Sequence, residues 1–176
     1  MARILVADST HIDTLALLRF IREAKLKAYA SDGDDPQVVR KETGFDVLIE
    51  YNPAGSPWFY SDHYTGHFAA PGQEIVEWRV IPVWAMSYDG GMILKHWGNR
   101  DLADSTFQFL KEALRHSPAE HPYRGPLSYQ SKDFSWVYEN SWTGDVVRFK
   151  GEERIIHNGL VVFHQNYMGG MIIQKY

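Results

Sequence analysis

Two glutamates and two tyrosines recur in matched surroundings, and their spacing makes them the first residues to examine for chemistry. Glu74 and Glu153 each stand two places after a glycine, in Gly72-Gln73-Glu74 and Gly151-Glu152-Glu153, and Tyr88 and Tyr167 each open a Tyr-x-Gly-Gly motif. A carboxylate withdrawn from water is a candidate general base or an anchor for a cationic group, and a phenol beside it is a candidate proton donor. Facing solvent, the same glutamates would only solubilise a strand edge, with Arg79 and Arg154 close enough in sequence to pair with them. The glycine pairs also have two readings: close backbone approach to a ligand, or a strand end or bulge that needs positive φ.

Aromatic residues surround these positions. Trp58, Tyr60, Asp62 and Tyr64 alternate along one segment, and Trp136, Tyr138, Asn140 and Trp142 repeat the pattern. Period two puts each set on one strand face, with Trp84 in phase on a further segment. A purely apolar core seldom carries Asp or Asn in the middle of such a face. A pocket lining of rings, phenols and one acid or amide does, although an amphipathic core with tyrosine hydroxyls at its rim reads the same way. These nine residues are the expected ligand-binding set, and Glu74, Glu153, Tyr88 and Tyr167 are the catalytic candidates.

Other chemistries find less support. With no cysteine, thiol nucleophiles, iron–sulfur clusters, disulfides and thiolate zinc sites are excluded. His63-x-x-x-His67 has a metal-like interval, but on a strand i and i+4 lie about 13 Å apart, so no metal site is expected. No Gly-x-Ser-x-Gly motif or phosphate loop occurs, and no cofactor is expected. The formal net charge of −4 argues against nucleic acid as a direct partner. No apolar run approaches the roughly 20 residues that span a bilayer, and Asp8 interrupts the N-terminus too early for a signal peptide. A cytoplasmic protein is expected.

The elements that must position these residues come in two sets. Residues 72–93 align without a gap on 151–172 at an offset of 79, with eight identities in 22 positions: Gly72, Glu74, Val83, Tyr88, Gly90, Gly91, Met92 and Ile93 recur. Average composition would give roughly one or two. Upstream, Trp58–Gly66 faces Trp136–Gly144 at an offset of 78, and Phe20-Ile21-Arg22-Glu23-Ala24 faces Phe109-Leu110-Lys111-Glu112-Ala113 at 89. The extra residues in the first copy include Asp32-Gly33-Asp34-Asp35-Pro36, a loop by composition.

Within each copy, helical periodicity is followed by alternation. A helix is expected over about 12–30, with Leu17, Ile21, Ala24 and Ala28 inward, Arg22, Lys25 and Lys27 elsewhere, and Ser9 or Thr10 as cap. A second runs over about 104–116, with Phe107, Leu110 and Leu114 inward. Strands are expected at 46–51, 57–64, 73–79 and 82–89, and again at 127–130, 134–142, 145–156 and 160–167. Met1–Val6 and Met92–Lys95 could each add one more. Asn158-Gly159 suits a type I′ turn, whereas Arg79-Val80 at the equivalent place predicts a different turn. The expected fold is α+β: one domain of two (β)αββββ repeats, about 1–93 and 94–176, related by a pseudo-two-fold. Their antiparallel sheets, each backed by a helix, would join into one curved or barrel-like sheet to remove exposed edges. A fused double hotdog is the alternative.

Phe20-Ile21-Arg22-Glu23-Ala24-Lys25, Gly72-Gln73-Glu74-x-Val76 and Pro82-Val83-Trp84-x-Met86-x-Tyr88 resemble a bacterial and archaeal family of unknown function. Phe109–Leu114, Tyr123-Arg124-Gly125-Pro126, Phe149-x-Gly151-x-Glu153 and Tyr167-x-Gly169-Gly170 extend the likeness over nearly the whole chain from about residue 15, with Asp34–Thr43 departing from it. Members of that family stand alone or follow an XRE-type helix-turn-helix domain, which implies a sensor role by analogy. No catalytic residue is implied.

Three functions follow as expectations. The first is a sensor-like small-molecule-binding module, its aromatic, Glu-bearing pocket between the repeats taking a flat aromatic or cationic compound. The second is an enzyme using a buried Glu/Tyr pair. The third is an interaction protein that self-associates, for instance as a homodimer.

Overall fold

The computed structural model describes residues 3–7, 10–28 and 45–174. Two short strands, β1 (Arg3–Ala7) and β2 (Thr10–Asp13), pair with each other and lead into helix α1 (Thr14–Lys27). Because Thr10–Asp13 is held in a strand, the helix starts later than its periodicity suggests. Asp13 caps it, accepting from the Leu15 and Ala16 amides at 2.9 and 3.0 Å, so Thr10 is not the cap. Ser9, the expected helix end at residues 29–30 and the 32–36 loop lie outside the described residues.

Strands β3 (Val47–Tyr51), β4 (Trp58–Tyr64), β5 (Gly72–Trp78) and β6 (Ile81–Met92) form an antiparallel meander. Helix α2 (Arg100–Leu114) follows, capped by Asn99, and then a second meander of β7 (Ser128–Gln130), β8 (Trp136–Asp145), β9 (Arg148–His157) and β10 (Leu160–Met171). Leu94–His96, where a further strand was expected, is a single 3₁₀ turn.

All eight strands belong to one sheet, in the order β3-β4-β5-β6-β10-β9-β8-β7. The central seam pairs β6 with β10 from Phe163 opposite Met92 to Met171 opposite Trp84. The sheet is open, so the expected barrel-like closure is corrected: β3 and β7 remain as edges, the latter only three residues long. A short edge strand limits the unpaired backbone on offer.

Directly paired residues point to the same side. Tyr60, Val76 and Trp84 therefore share a face with Tyr88, Tyr167, Phe163, Ile155 and Tyr138. Both helices cover that face. Leu17, Phe20, Ile21 and Ala24 of α1 pack among Tyr60, Val76 and Trp84, and Ala103, Phe109, Leu110 and Ala113 of α2 pack among Tyr138, Ile155 and Phe163. The opposite face carries exposed Gln73, Ser87, Asp89, Arg154 and His164, the pattern of a sheet wet on one side.

Both central hairpins turn on two residues at positive φ. Asn158 and Gly159 have φ of 49° and 77°, and Arg79 and Val80 have 50° and 63°. The expectation of a different turn at Arg79-Val80 is thus overturned: β5 and β6 are long enough to impose the type I′ twist on residues that resist it. The Tyr-x-Gly-Gly motifs allow close chain passage. A Cβ on Gly91 would stand 2.2 Å from the Phe68 carbonyl oxygen. Among the described residues no helix is long and apolar enough to cross a membrane.

Candidate functional site

The helix-covered face carries a buried polar cluster at its centre. Alternation along β4 and β8 places Asp62 and Asn140 inward, and β5 and β9 place Glu74 and Glu153 beside them. Asp62 is 3% exposed, Glu74 2% and Glu153 1%. Carboxylates this deep need partners, and the chain supplies them from outside the sheet. Lys25 of α1, expected on the solvent side, is buried instead: its Nζ lies 2.8 and 2.7 Å from the two Glu74 oxygens and donates to the Tyr123 carbonyl. One turn beyond Ile21, it shares the face that α1 turns to the sheet. Burial lowers the Lys25 pKa despite the glutamate.

Arg124, in the connection from α2 to β7, serves Glu153. Its Nε donates to Oε1 at 2.9 Å, its Nη2 donates to the same oxygen, and its Nη1 stands 3.9 Å from Glu74. The Tyr138 hydroxyl donates to Glu153 Oε2 at 2.6 Å and Gln165 Nε2 to Oε1 at 3.0 Å. Each glutamate therefore has a cation of the chain's own.

Asp62 differs. Its Oδ1 accepts the Tyr88 hydroxyl at 2.7 Å, but the cations are spent on the glutamates. Burial pushes its pKa up to about 7, the Glu74 charge adds to the rise, and the Tyr88 bond with the Lys25 and Arg124 charges holds it from going further. Tyr60, fully buried beside it, is raised well above a normal phenol by burial and by the Glu74 and Asp62 charges.

Asp62 opens onto a cavity of about 530 Å³ between the sheet and α2. Its floor is Asp62, Tyr88, Arg124 and Gln165. Phe107 and Leu110 of α2 form the apolar wall, and Tyr64, His67, Asp104 and Lys111 stand nearer the mouth. The Arg124 guanidinium lies over the Tyr88 ring, 5.7 Å from its centroid. At the rim His67 Nε2 is 3.4 Å from Asp104. This volume falls within the range that holds small organic ligands.

The sequence-predicted residues divide sharply against this geometry. Asp62, Tyr64 and Tyr88 line the cavity. Tyr60, Trp84 and Tyr138 are core, at most 1% exposed. Trp58 stacks on Phe20 at 5.3 Å, Trp136 packs on Phe109 at 5.6 Å, and Trp84, packed in the core with α1, lies beside the stacked Tyr123 and Phe149 rings. These rings therefore seat the helices. Asn140 accepts the Tyr167 hydroxyl at 2.9 Å and donates to the Gly125 carbonyl, while Trp142 sits against His121. Glu74 and Glu153 lie beneath the cavity and hold the cations. His63 packs on Phe45 and His67 on Phe68, and among the described residues no group of three His, Asp or Glu side chains could hold a metal.

Lys25, Arg124 and Gln165 were not among the sequence candidates. Arg124 had a faint signal, a lone cation between an aromatic and Gly125-Pro126. Lys25 sits among Arg22 and Lys27 and had none.

No curated protein and no solved structure matches this chain. One family model does, a domain of unknown function (DUF5680), over residues 62–172, which include the whole cavity lining from Asp62 to Gln165. With well over half its length matched, the chain belongs to the DUF5680 family.

Proposed function

We propose that this protein is a sensor-like small-molecule-binding module in which two copies of one αβ unit, about 1–93 and 94–176, hold the ligand between them. The strand order supports the duplication, since it reads symmetrically outward from the β6–β10 seam. Ile93 N donates to Val162 O and Ile172 N to Val83 O, both at 2.9 Å. A Cβ on Gly72 would strike the Tyr88 ring and one on Gly151 the Tyr167 ring, each at 2.4 Å. Asp62 meets Tyr88 as Asn140 meets Tyr167.

The observation that carries the binding reading is the 530 Å³ cavity floored by a buried acid, a phenol, a guanidinium and an amide, with walls from both halves. Polar groups that converge on one recess beside an apolar wall, here Phe107 and Leu110, can fix a ligand's orientation. Gln108 stands exposed at its mouth. A thermal-shift screen of a metabolite library should give hits that raise Tm by several degrees in the wild type and fail in Gln108→Trp, whose indole would fill the opening. A library with no such hit would defeat the reading.

Asp62 also favours a second function. A carboxyl near pKa 7 beside a phenol in a cleft is poised for acid–base catalysis. Turnover of a screened compound, lost in Asp62→Asn with binding retained, would select that reading.

A further inference from the structure

The charges beneath the cavity do not balance. Among the described residues the cluster contains three carboxyls, Asp62, Glu74 and Glu153, and two cations, Lys25 and Arg124. Lys25 is committed to Glu74 and Arg124 to Glu153. Asp62 is the acid left over, and it is the one of the three that lines the cavity. We propose, resting on the binding reading above, that the ligand carries a protonated amine: its ammonium sits at the Asp62 carboxylate, and its apolar body lies against Phe107, Leu110 and the Tyr64 ring.

Charge complementarity selects this class over its rivals. An ammonium brings the cluster to three charges of each sign in a setting where an unpaired charge is costly. An anion would approach Arg124 next to an uncompensated carboxylate, and the Nε and Nη2 groups of Arg124 already donate to Glu153. A neutral ligand would leave Asp62 to balance the cluster only by keeping its proton, and would gain nothing from the carboxylate. The ring walls add to the selection, because a cation gains at an aromatic face, and Tyr88 already receives one from Arg124.

The binding is linked to a proton. Asp62 is faced by Tyr60 on its own strand, Glu74 on β5, Tyr88 on β6, Lys25 on α1 and Arg124 on the β7 approach, with His67, Asp104 and Lys111 toward the mouth. Burial among them holds its pKa near 7, so an arriving ammonium displaces the proton that the empty site carries. An amine with an ordinary alkylammonium pKa keeps its charge through pH 8, so affinity should follow ionisation of the acid.

Calorimetry on the full chain with three matched probes tests this: 2-phenylethylamine, 2-phenylethanol and phenylacetate. The amine is expected to bind at least tenfold more tightly than the alcohol at pH 8, and to lose about tenfold in affinity at pH 6. Titration at pH 6 in two buffers of different ionisation enthalpy should show close to one proton released. Asp62→Asn should bind amine and alcohol alike; if that variant does not fold, the pH profile and proton release of the wild type decide. Equal binding of alcohol or phenylacetate, no proton release, or a retained amine preference in Asp62→Asn would overturn the ammonium assignment and leave the pocket standing. Failure of all three probes would also overturn it, whereas the pocket itself fails only if the library screen gives no hit sensitive to Gln108→Trp.

Discussion

Asp62 burdens the fold in one ionisation state only, and this gives it a signature in stability. Its folded pKa of about 7 lies above the unfolded value near 3.9. The native state therefore holds the proton more tightly than the unfolded chain. Below about pH 4 both states are protonated and nothing is lost. As pH rises from 4 to 7 the unfolded chain ionises first and stability falls, by a few kcal/mol in all, and above 7 the loss is complete. Asp133, pulled down to about 2 by the Ser131 and Ser135 bonds, has the opposite sign and acts below pH 4, outside that window. Asn at position 62 imitates the protonated acid and can still accept from Tyr88. Asp62→Asn should flatten the decline of Tm between pH 5 and 8 and exceed the wild type in Tm at pH 8. Parallel pH profiles for the two proteins would refute the placement of an uncompensated acid.

The hairpin between β5 and β6 is where local preference and sheet register conflict. Val80 adopts φ of 63° with 86% of its surface exposed, so no packing rewards the β-branched side chain for a conformation it resists. The left-handed region costs a residue with a Cβ about 1–2 kcal/mol relative to glycine. Val80→Gly should therefore stabilise the protein by about 1 kcal/mol in urea denaturation, and a loss of stability would show that the side chain does work the structure does not reveal. The same conflict marks what was legible in the sequence. The eight strands of the main sheet stood out because their faces differ in polarity, and the Asn158-Gly159 turn because its residues favour positive φ. Arg79-Val80 was misread because the register of β5 on β6, a non-local property, overrides the turn residues. The aromatic alternation correctly marked an inward face but could not distinguish a cavity from a helix seat, since both need rings on the same side. Asp62 was readable as the odd acid in such a face. Its status as the unpaired one depends on Lys25 and Arg124, which arrive from 37 residues upstream and 62 downstream, and no local pattern reports such meetings.

Those long-range meetings also tie the molecule together. Arg124 lies between Glu153 of the second meander and Glu74 of the first, and Lys25 joins α1 to Glu74 and to the Tyr123 carbonyl next to Arg124. With the β6–β10 seam running nine paired residues, neither half can open without stranding charges of the other. Arg124→Met would leave Glu153 with the Tyr138 and Gln165 bonds but no cation, and breaking a buried pair from one side costs about 3–5 kcal/mol. The double variant Arg124→Met/Glu153→Gln removes the stranded charge while an amide oxygen can still accept from Tyr138, so it should recover most of that loss. Because the cluster spans both halves, wild type and double variant should each unfold in one transition, with tryptophan fluorescence and far-ultraviolet circular dichroism coinciding. A single variant within 1 kcal/mol of wild type would show the cluster to be dispensable, and two separated wild-type transitions would show that the halves are stable without each other.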